Sequence, residues 1–317
     1  MGNNIIVICG PTGIGKTGFA IALAKKFNGE IVGADSMQIY KYMDIGTAKP
    51  NAEERTMAAH HMVDIIDPDE EFDASRFAGM ADKAIERIVK KGKIPIVVGG
   101  TGLYIKALIH GLFRQGRAAD KEIIKKLEIE LNSRGSFYLH KKLEDIDHDS
   151  AERIHPNDSF RIIRAIEVFQ STGRTITSFQ KNHGFASDRY ETLQLGLYMD
   201  RAKLYKRIEK RVDDMMDQGL IDEVRNLIAM GYSCKLKSMQ SLGYRHICDF
   251  LNRGISLEET VRLLKRDTRR YAKRQFTWFR KDEKILWVKP DERDKADKYI
   301  REFFMVKRNL QTFLDKP

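Results

Sequence analysis

Eight consecutive residues carry the first chemistry in this chain. Gly10, Pro11, Thr12, Gly13, Ile14, Gly15, Lys16 and Thr17 read GPTGIGKT. A Gly, four free positions and then Gly-Lys-Ser/Thr is the spacing of a phosphate-binding loop. Its chemistry is polyphosphate binding. Unpaired backbone N–H groups at a helix N-terminus, with the helix dipole behind them, favour an anion. Lys16 is placed to reach the outer phosphates, and the Thr17 hydroxyl to ligate Mg²⁺. The loop alone names neither the polyphosphate nor its fate.

The flanking residues must put that loop between a strand and a helix, and they do. Ile5-Ile6-Val7-Ile8-Cys9 is a short apolar run that predicts a buried strand. Ala20, Leu23, Ala24 and Phe27 recur at helical spacing, and Asn28-Gly29 supplies a stop. Two more strands are predicted at Glu30–Ala34, ending at Asp35-Ser36, and at Ile94–Val98, ending at Gly99-Gly100-Thr101-Gly102. Between them Phe77, Met80, Ala81, Ala84, Ile85 and Ile88 share one helical face. Alternation of strand and helix predicts an α/β fold: a P-loop NTPase-like parallel sheet with helices on both faces. Sites in such sheets lie at the carboxyl ends of the strands. The phosphate loop, Asp35-Ser36 and Thr101 all sit there, so three segments converge on one pocket.

Composition narrows the partner. The 317 residues are 42% hydrophobic and 32% charged, with a net charge of +11 and pI ≈ 9.4. That surplus exceeds what small anions require and favours a large polyanion or an anionic membrane surface. The first apolar run is too short for a signal peptide or a membrane span. Cys9, Cys234 and Cys248 are sparse and lack metal-type spacing, which argues for a reducing compartment. A cytoplasmic protein is expected. His60, His61 and Asp64 invite a metal site, but no further ligand has suitable spacing, and that reading is set aside.

From Arg114 to Asp188 the chain turns charged and helical. Asp120, Ile123, Ile124, Leu127 and Leu131 form a stripe ended by Arg134-Gly135. A second helix runs from Asn157 to Ser171, with Arg161 and Arg164 on one face. Leu193–Leu197 then returns to the sheet. The expected organisation is a core of residues 1–113 and 189–317, with a helical insertion at 114–188. The second strong signal lies between Arg262 and Lys281. Nine basic residues stand there against one acid, Asp267. Val261, Leu264, Thr268, Tyr271, Gln275 and Trp278 can dock on the core, while Arg266, Arg270, Lys273 and Thr277 track the opposite side. Basic groups interleaved with aromatics suit nucleic acid, and a solvated basic face is the plainer alternative.

At this point the residues carry a resemblance. GPTGIGKT, Ala34–Pro50 (ADSMQIYKYMDIGTAKP), His60–Ile65, Val97–Tyr104 (VVGGTGLY), His155–Val168 (HPNDSFRIIRAIEV), Arg207–Val224, Leu242–Ile247 (LGYRHI) and Thr268–Arg280 (TRRYAKRQFTWFR) follow in order. The set resembles the tRNA dimethylallyltransferase, or tRNA isopentenyltransferase, family over nearly the whole chain. The carboxyl segment lacks a Cys/His pair, which makes the resemblance one to bacterial members.

The resemblance implies transfer of a dimethylallyl group from its diphosphate to the exocyclic amine of the adenosine 3′ of the anticodon. It implies Mg²⁺, dimethylallyl diphosphate and the tRNA anticodon stem-loop as partners, no membrane, and a monomer. Gly10–Thr17 would hold the diphosphate, with Lys16 and Mg²⁺ on Thr17 stabilising it. Asp35 would accept the amine's proton, Mg²⁺ ligation being its rival role. Thr101 would orient the amine or the diphosphate, and Arg207 or Arg211, preferably Arg211, would reach the diphosphate. A surface pairing of those arginines with Glu209 or Asp213 is the competing reading. Asp35, Ser36, Met37, Gln38 and Thr101 would read the extruded base. Ser159, Phe160, Arg161, Ile162, Ile163, Arg164, Gly243, Tyr244, Arg245, Arg266, Arg270, Lys273 and Arg274 would contact tRNA. Two residues depart from the family: Ile124 stands about where other members often have Arg, so that a phosphate contact would be missing or displaced to Lys121 or Lys125, and Ile14 replaces a small loop residue. An adenylate isopentenyltransferase or a P-loop small-molecule kinase would share the loop but leave the basic segment without a role. A non-catalytic RNA-binding module would leave the converging pocket idle.

Overall fold

The apolar run at the amino end lies near the middle of a six-stranded sheet of order β3-β2-β4-β1-β5-β6. Every pairing is parallel. The computed structural model describes residues 4–111, 120–183 and 189–314. The order is β1 (Asn4–Cys9), α1 (Lys16–Lys26), β2 (Gly29–Gly33), α2 (Ala52–Met57), β3 (His60–His61), α3 (Ala74–Lys90), β4 (Ile94–Gly99) and α4 (Gly102–His110). Five helices follow: α5 (Lys121–Arg134), α6 (Ser136–Ile146), α7 (His148–Arg153), α8 (Ser159–Thr172) and α9 (Ile176–His183). The chain then forms β5 (Glu191–Leu197), α10 (Arg201–Asp217), α11 (Leu220–Ala229), α12 (Tyr244–Arg253), α13 (Leu257–Phe279), β6 (Leu286–Val288) and α14 (Arg293–Leu314).

Alternation explains why β1 is apolar from Ile5 to Cys9. Ile6 and Ile8 pack in one cluster with Phe19, Leu23 and Ile300 from α1 and α14. Ile5 and Val7 point to the other face and are equally buried. A parallel strand covered on both sides favours an apolar residue at nearly every position. Ile6 is opposite Ile96 on β4 and Leu193 on β5. This register brings the ends of β1, β2 and β4 to one edge, where the phosphate loop, Asp35 and Thr101 follow.

Two short strands escape sequence periodicity. β3 is two residues long, and its His61 meets the buried Glu30 at 2.7 Å. Burial alone would raise the Glu30 pKa, but hydrogen bonds from Lys93, His61 and Lys91 outweigh it and hold it at about 2. His61 is therefore a hydrogen-bond partner of Glu30. β6 closes the other edge beside β5. The expectation of separate thiols is also corrected. Cys234 and Cys248 form a disulfide with Cα atoms 6.0 Å apart, so cysteine usage no longer argues for a reducing compartment. Burial pushes the lone Cys9 thiol up to about 12.

Two compact units emerge: residues 1–109 with 189–317, and residues 110–188. The expected boundaries at Arg114 and Asp188 lie outside the described residues. In the first unit the Arg189 N–H donates to the Ile109 carbonyl at 2.8 Å, joining the points where the chain leaves and returns. In the second, α5, α6 and α8 close over Leu127, Leu139, Leu143, Ile162 and Ile166. Asp120, expected within the stripe, instead caps α5 through its carboxylate, and its own N–H donates to Glu167 at 2.9 Å. Among the described residues no helix is long and apolar enough to cross a membrane.

Candidate active site

Three glycines with positive φ, Gly10, Gly13 and Gly15, turn the chain from β1 into α1. Space limits them as much as φ does. A Cβ on Gly10 would lie 2.9 Å from the Leu197 carbonyl, and one on Gly13 would lie 2.9 Å from Ile208. Ile14 turns inward and is fully buried in the cluster that holds Leu204 and Ile208. Only its backbone N–H can therefore serve an anion. The loop is anchored by its one bulky side chain and open along its backbone.

Helix α10 brings both candidate arginines to the loop. A Cβ on Gly15 would lie 3.1 Å from Arg207 Nη2. Arg211 Nη1 donates to the Thr12 hydroxyl at 3.3 Å. The competing surface partners are taken, Glu209 by Arg269 and Asp213 by Lys265. Burial lowers the Arg211 pKa, with the Asp35 charge opposing it. The half-buried Lys16 donates to the carbonyls of Gly10 at 3.0 Å and Pro11 at 2.9 Å, so its ammonium is folded back on the loop that it was expected to project from. Burial pushes Lys16 down to about 8, again opposed by Asp35. An anion entering here would replace two neutral carbonyls with full negative charge.

Asp35 follows β2 and is held by local geometry. Its Oδ1 accepts from Met37 N at 2.9 Å, a side-chain turn that fixes the carboxylate. Thr101 follows β4, and its Oγ1 accepts from Ser36 N at 3.1 Å. The turns after β2 and β4 are thus tied through the two hydroxyl residues expected to face substrate. Gln38, expected to read a base, spends its amide donors on the carbonyls of Thr47 (3.2 Å) and Ala48 (3.1 Å), folding the 43–49 loop beneath the site. Tyr271 of α13 lies near enough for the Asp35 charge, after burial, to raise its pKa.

Helix α13 departs from the charge count. Arg262 pairs with Glu259, Lys265 with Asp213, and Arg269 with Glu209. Asp267 gathers Arg266 at 2.8 Å, Arg245 of α12 at 3.3 Å and Arg270 at 3.6 Å. The Arg266 hydrogen bond leads the effects that hold Asp267 at about 2. Arg274 lies over Tyr271 and Arg280 over Phe276. Among the described residues Lys273, Arg274, Arg280 and Lys281 have no carboxylate partner. The docking face is Leu264, Thr268, Ala272, Gln275 and Phe279; Trp278, expected on it, is 44% exposed.

The pattern for IPP transferase matches residues 38–282. A tRNA dimethylallyltransferase of Desulfosudis oleivorans is 52% identical over 307 residues, covering 97% of this chain and 96% of its own. One of Acetivibrio thermocellus is 50% identical, covering 98% of each. The chain belongs to the IPP transferase family. Among solved structures, the tRNA isopentenylpyrophosphate transferase of Bacillus halodurans superposes with a TM-score of 0.69 at 39% identity, covering 98% of this chain and 97% of that one. A eukaryotic dimethylallyltransferase acting on tRNA gives 0.78 at 31% identity, covering 99% and 80%.

The family resemblance implied further contacts, and their placement varies. Phe160 and Arg161 stand exposed at the start of α8. Ile162 and Ile163 are buried in the insertion's core, so their side chains pack and cannot touch RNA. Arg164 bonds the buried Glu167, which in turn holds the start of α5, and its side chain stays 34% exposed. Ile124 packs against the same core. Tyr244 is fully buried and donates to Glu223 at 2.6 Å; the same carboxylate accepts from the N–H groups of Asp44, Ile45 and Gly46. Glu223 lies inside the quoted Arg207–Val224 motif, yet nothing local signals that it organises a loop nearly two hundred residues earlier.

The donor set suits Mg²⁺ of one kind only. Among the described residues no group of three or more His, Cys, Asp or Glu side chains could cage a metal. The Thr17 hydroxyl in the first turn of α1 offers one oxygen beside the phosphate loop. Mg²⁺ accepts such sites, completing its shell with water and substrate phosphate oxygens.

Proposed function

We propose that this chain transfers a dimethylallyl group from dimethylallyl diphosphate to the exocyclic amine of the adenosine 3′ of the anticodon in tRNA, releasing diphosphate. The observation that carries it is the meeting of two chemistries at the carboxyl ends of strands in one parallel sheet. A cationic phosphate cradle follows β1, and a fixed carboxylate follows β2, one strand beyond β4. Diphosphate is the leaving group. As the carbon–oxygen bond breaks, charge grows on the diphosphate; Arg211 and the loop N–H groups stand beside it, and Lys16 exchanges its two carbonyl partners for it. Thr17 would hold Mg²⁺ with the diphosphate oxygens, and the ion supplies further charge neutralisation there. The amine nitrogen forms the new carbon–nitrogen bond and loses a proton, which passes to Asp35. Thr101 holds the Ser36 N–H and so sets the lip on which the base would lie.

A base in a folded stem-loop must be extruded to reach such a pocket. The exposed α13 cations and Arg161 with Phe160 offer phosphate and stacking contacts for that purpose. The same reading makes the enzyme a cytoplasmic monomer. Labelled dimethylallyl diphosphate offered with tRNA, with AMP or alone tests it. Label should enter tRNA only; transfer to AMP would give the adenylate enzyme's activity, and phosphate transfer to a small molecule would make the chain a kinase.

A further inference from the structure

The docking face of α13 is apolar or hydroxylic except at one position. Gln275 is 7% exposed and carries a long amide among Leu264, Thr268, Ala272 and Phe279. A buried amide is costly unless both ends are bonded. Here both are. Its Oε1 accepts from Thr12 N at 2.8 Å, and its Nε2 donates to the Gly100 carbonyl at 3.0 Å. A backbone N–H cannot accept and a carbonyl cannot donate, so the amide has one workable orientation.

The two bonded groups belong to different halves of the chemistry. Thr12 lies in the phosphate loop after β1. Gly100 immediately precedes Thr101 in the turn after β4. Room for the bridge is cut into the backbone, since a Cβ on Gly100 would lie 2.2 Å from Gln275 Nε2. Thr12 is gripped a second time, its hydroxyl by Arg211. With its N–H turned to Gln275, Thr12 leaves the anion to the loop's later amides. Thr101, one residue past Gly100, holds the Ser36 N–H beside Asp35.

From this geometry we infer that Gln275 is a positioning residue that sets the spacing between the leaving-group cradle and the acceptor-side turn. It touches neither diphosphate nor amine. It holds Thr12 and Gly100 apart at the length of one amide, and so registers the carbon–oxygen bond being broken against the nitrogen that attacks. A displacement of about 1 Å between reacting groups costs roughly a hundredfold in rate. The inference rests on the reading of the phosphate loop as the diphosphate holder.

Two volume-matched variants test it, Gln275→Met and Gln275→Glu. Gln275→Met removes both hydrogen bonds and should lower kcat by about ten- to a hundredfold. Its tRNA affinity and salt dependence should stay within about threefold of wild type, because the exposed cations of α13 are untouched. Gln275→Glu keeps an acceptor for Thr12 N–H but sets a carboxylate against the Gly100 carbonyl and the diphosphate. Its activity relative to wild type should be lowest near pH 8 and recover toward pH 5.5, as protonation restores a donor. Tyr271 hydrogen-bonds Gln275, and Arg274, Asp35, Lys16 and Arg211 carry charge nearby, so the pH profile is read as a ratio to wild type. Folding of each variant is checked by circular dichroism and Tm, and a Met variant that does not fold leaves the Glu variant's pH ratio to decide. Wild-type kcat in the Met variant, or a flat ratio for the Glu variant, overturns the inference. Lys16→Ala run alongside separates the two ideas. Turnover surviving Lys16→Ala removes the loop reading itself, whereas a dead Lys16→Ala with unimpaired Gln275 variants removes only the bridge.

Discussion

Two regions of the core unit gather cations, and they are built on opposite plans. The phosphate loop uses few groups and removes them from water. Lys16 bonds two carbonyls of its own loop, and burial takes it down to about 8; Arg211 is lowered by burial as well. Helix α13 uses many groups and leaves them wet. Five of its cations meet carboxylates: Arg262, Lys265, Arg266, Arg269 and Arg270. The lesson is that formal charge overstates what a surface can offer a ligand. Glu209 and Asp213 come from α10, so they are invisible to a count along α13. A group desolvated in advance is worth more to an incoming anion than one that must first shed water or a partner.

The comparison predicts where single substitutions will matter. Lys16→Ala should have the largest effect, loss of detectable single-turnover transfer, since preorganised charge at the leaving group is usually the largest single contribution. Stability of the ligand-free protein should not fall, since a buried ammonium is a cost to folding. Turnover near wild type would erase the contrast between the regions. Asp35→Asn should follow, with a loss of about two to four decades in rate. Diphosphate and Mg²⁺ affinity should change little. If excess Mg²⁺ restores the rate instead, Asp35 is a metal ligand.

A third effect is in pH. Without ligand Lys16 loses its proton near pH 8, and diphosphate restores the charged form, so binding takes up a proton above that pH. Affinity should be fully present below pH 8 and fall as pH rises through it, about tenfold by pH 9. Calorimetry in buffers of different ionisation enthalpy reads the proton directly. No uptake at pH 8.5 would mean the ammonium is less desolvated than its contacts imply.

The smallest effects belong to α13 and sharpen the comparison within one helix. Lys273→Ala or Arg274→Ala should reduce the slope of log tRNA affinity against log salt by about one or less. Arg262→Ala, whose charge already meets Glu259, should barely move it. Arg270, 63% exposed on its side chain and 3.6 Å from Asp267, should fall between. Slopes and affinities unchanged from wild type in all four variants would return the whole helix to the category of a solvated face.

Legibility followed the range of the signal. The loop, β1, β2, β4 and β5 announce themselves through contiguous apolar runs and glycines, because both faces of each strand are buried. β3 and β6 are too short to show a period. Gln275 could be placed on the inward side of α13 by spacing, but its bridge to Thr12 and Gly100 depends on residues far away in the chain. The same holds for the Cys234–Cys248 bond and for Glu223 beneath the 43–49 loop. The inward packing of Ile163 and the Arg164–Glu167 bond were hidden for a related reason. A motif marks a helix as important without saying which of its faces holds the helix in place.

The hydrogen bond between Arg189 N and Ile109 O has a consequence for how this molecule can be taken apart. The excursion through residues 110–188 begins and ends at one pinched point, so the core chain is already closed there. A short Gly-Ser bridge across that point would span a loop whose closure entropy is small. The sheet order needs no strand from the excised segment. The enzyme is thus a module carried by a complete scaffold, one that could be emptied, refilled or given a different module without re-threading the sheet.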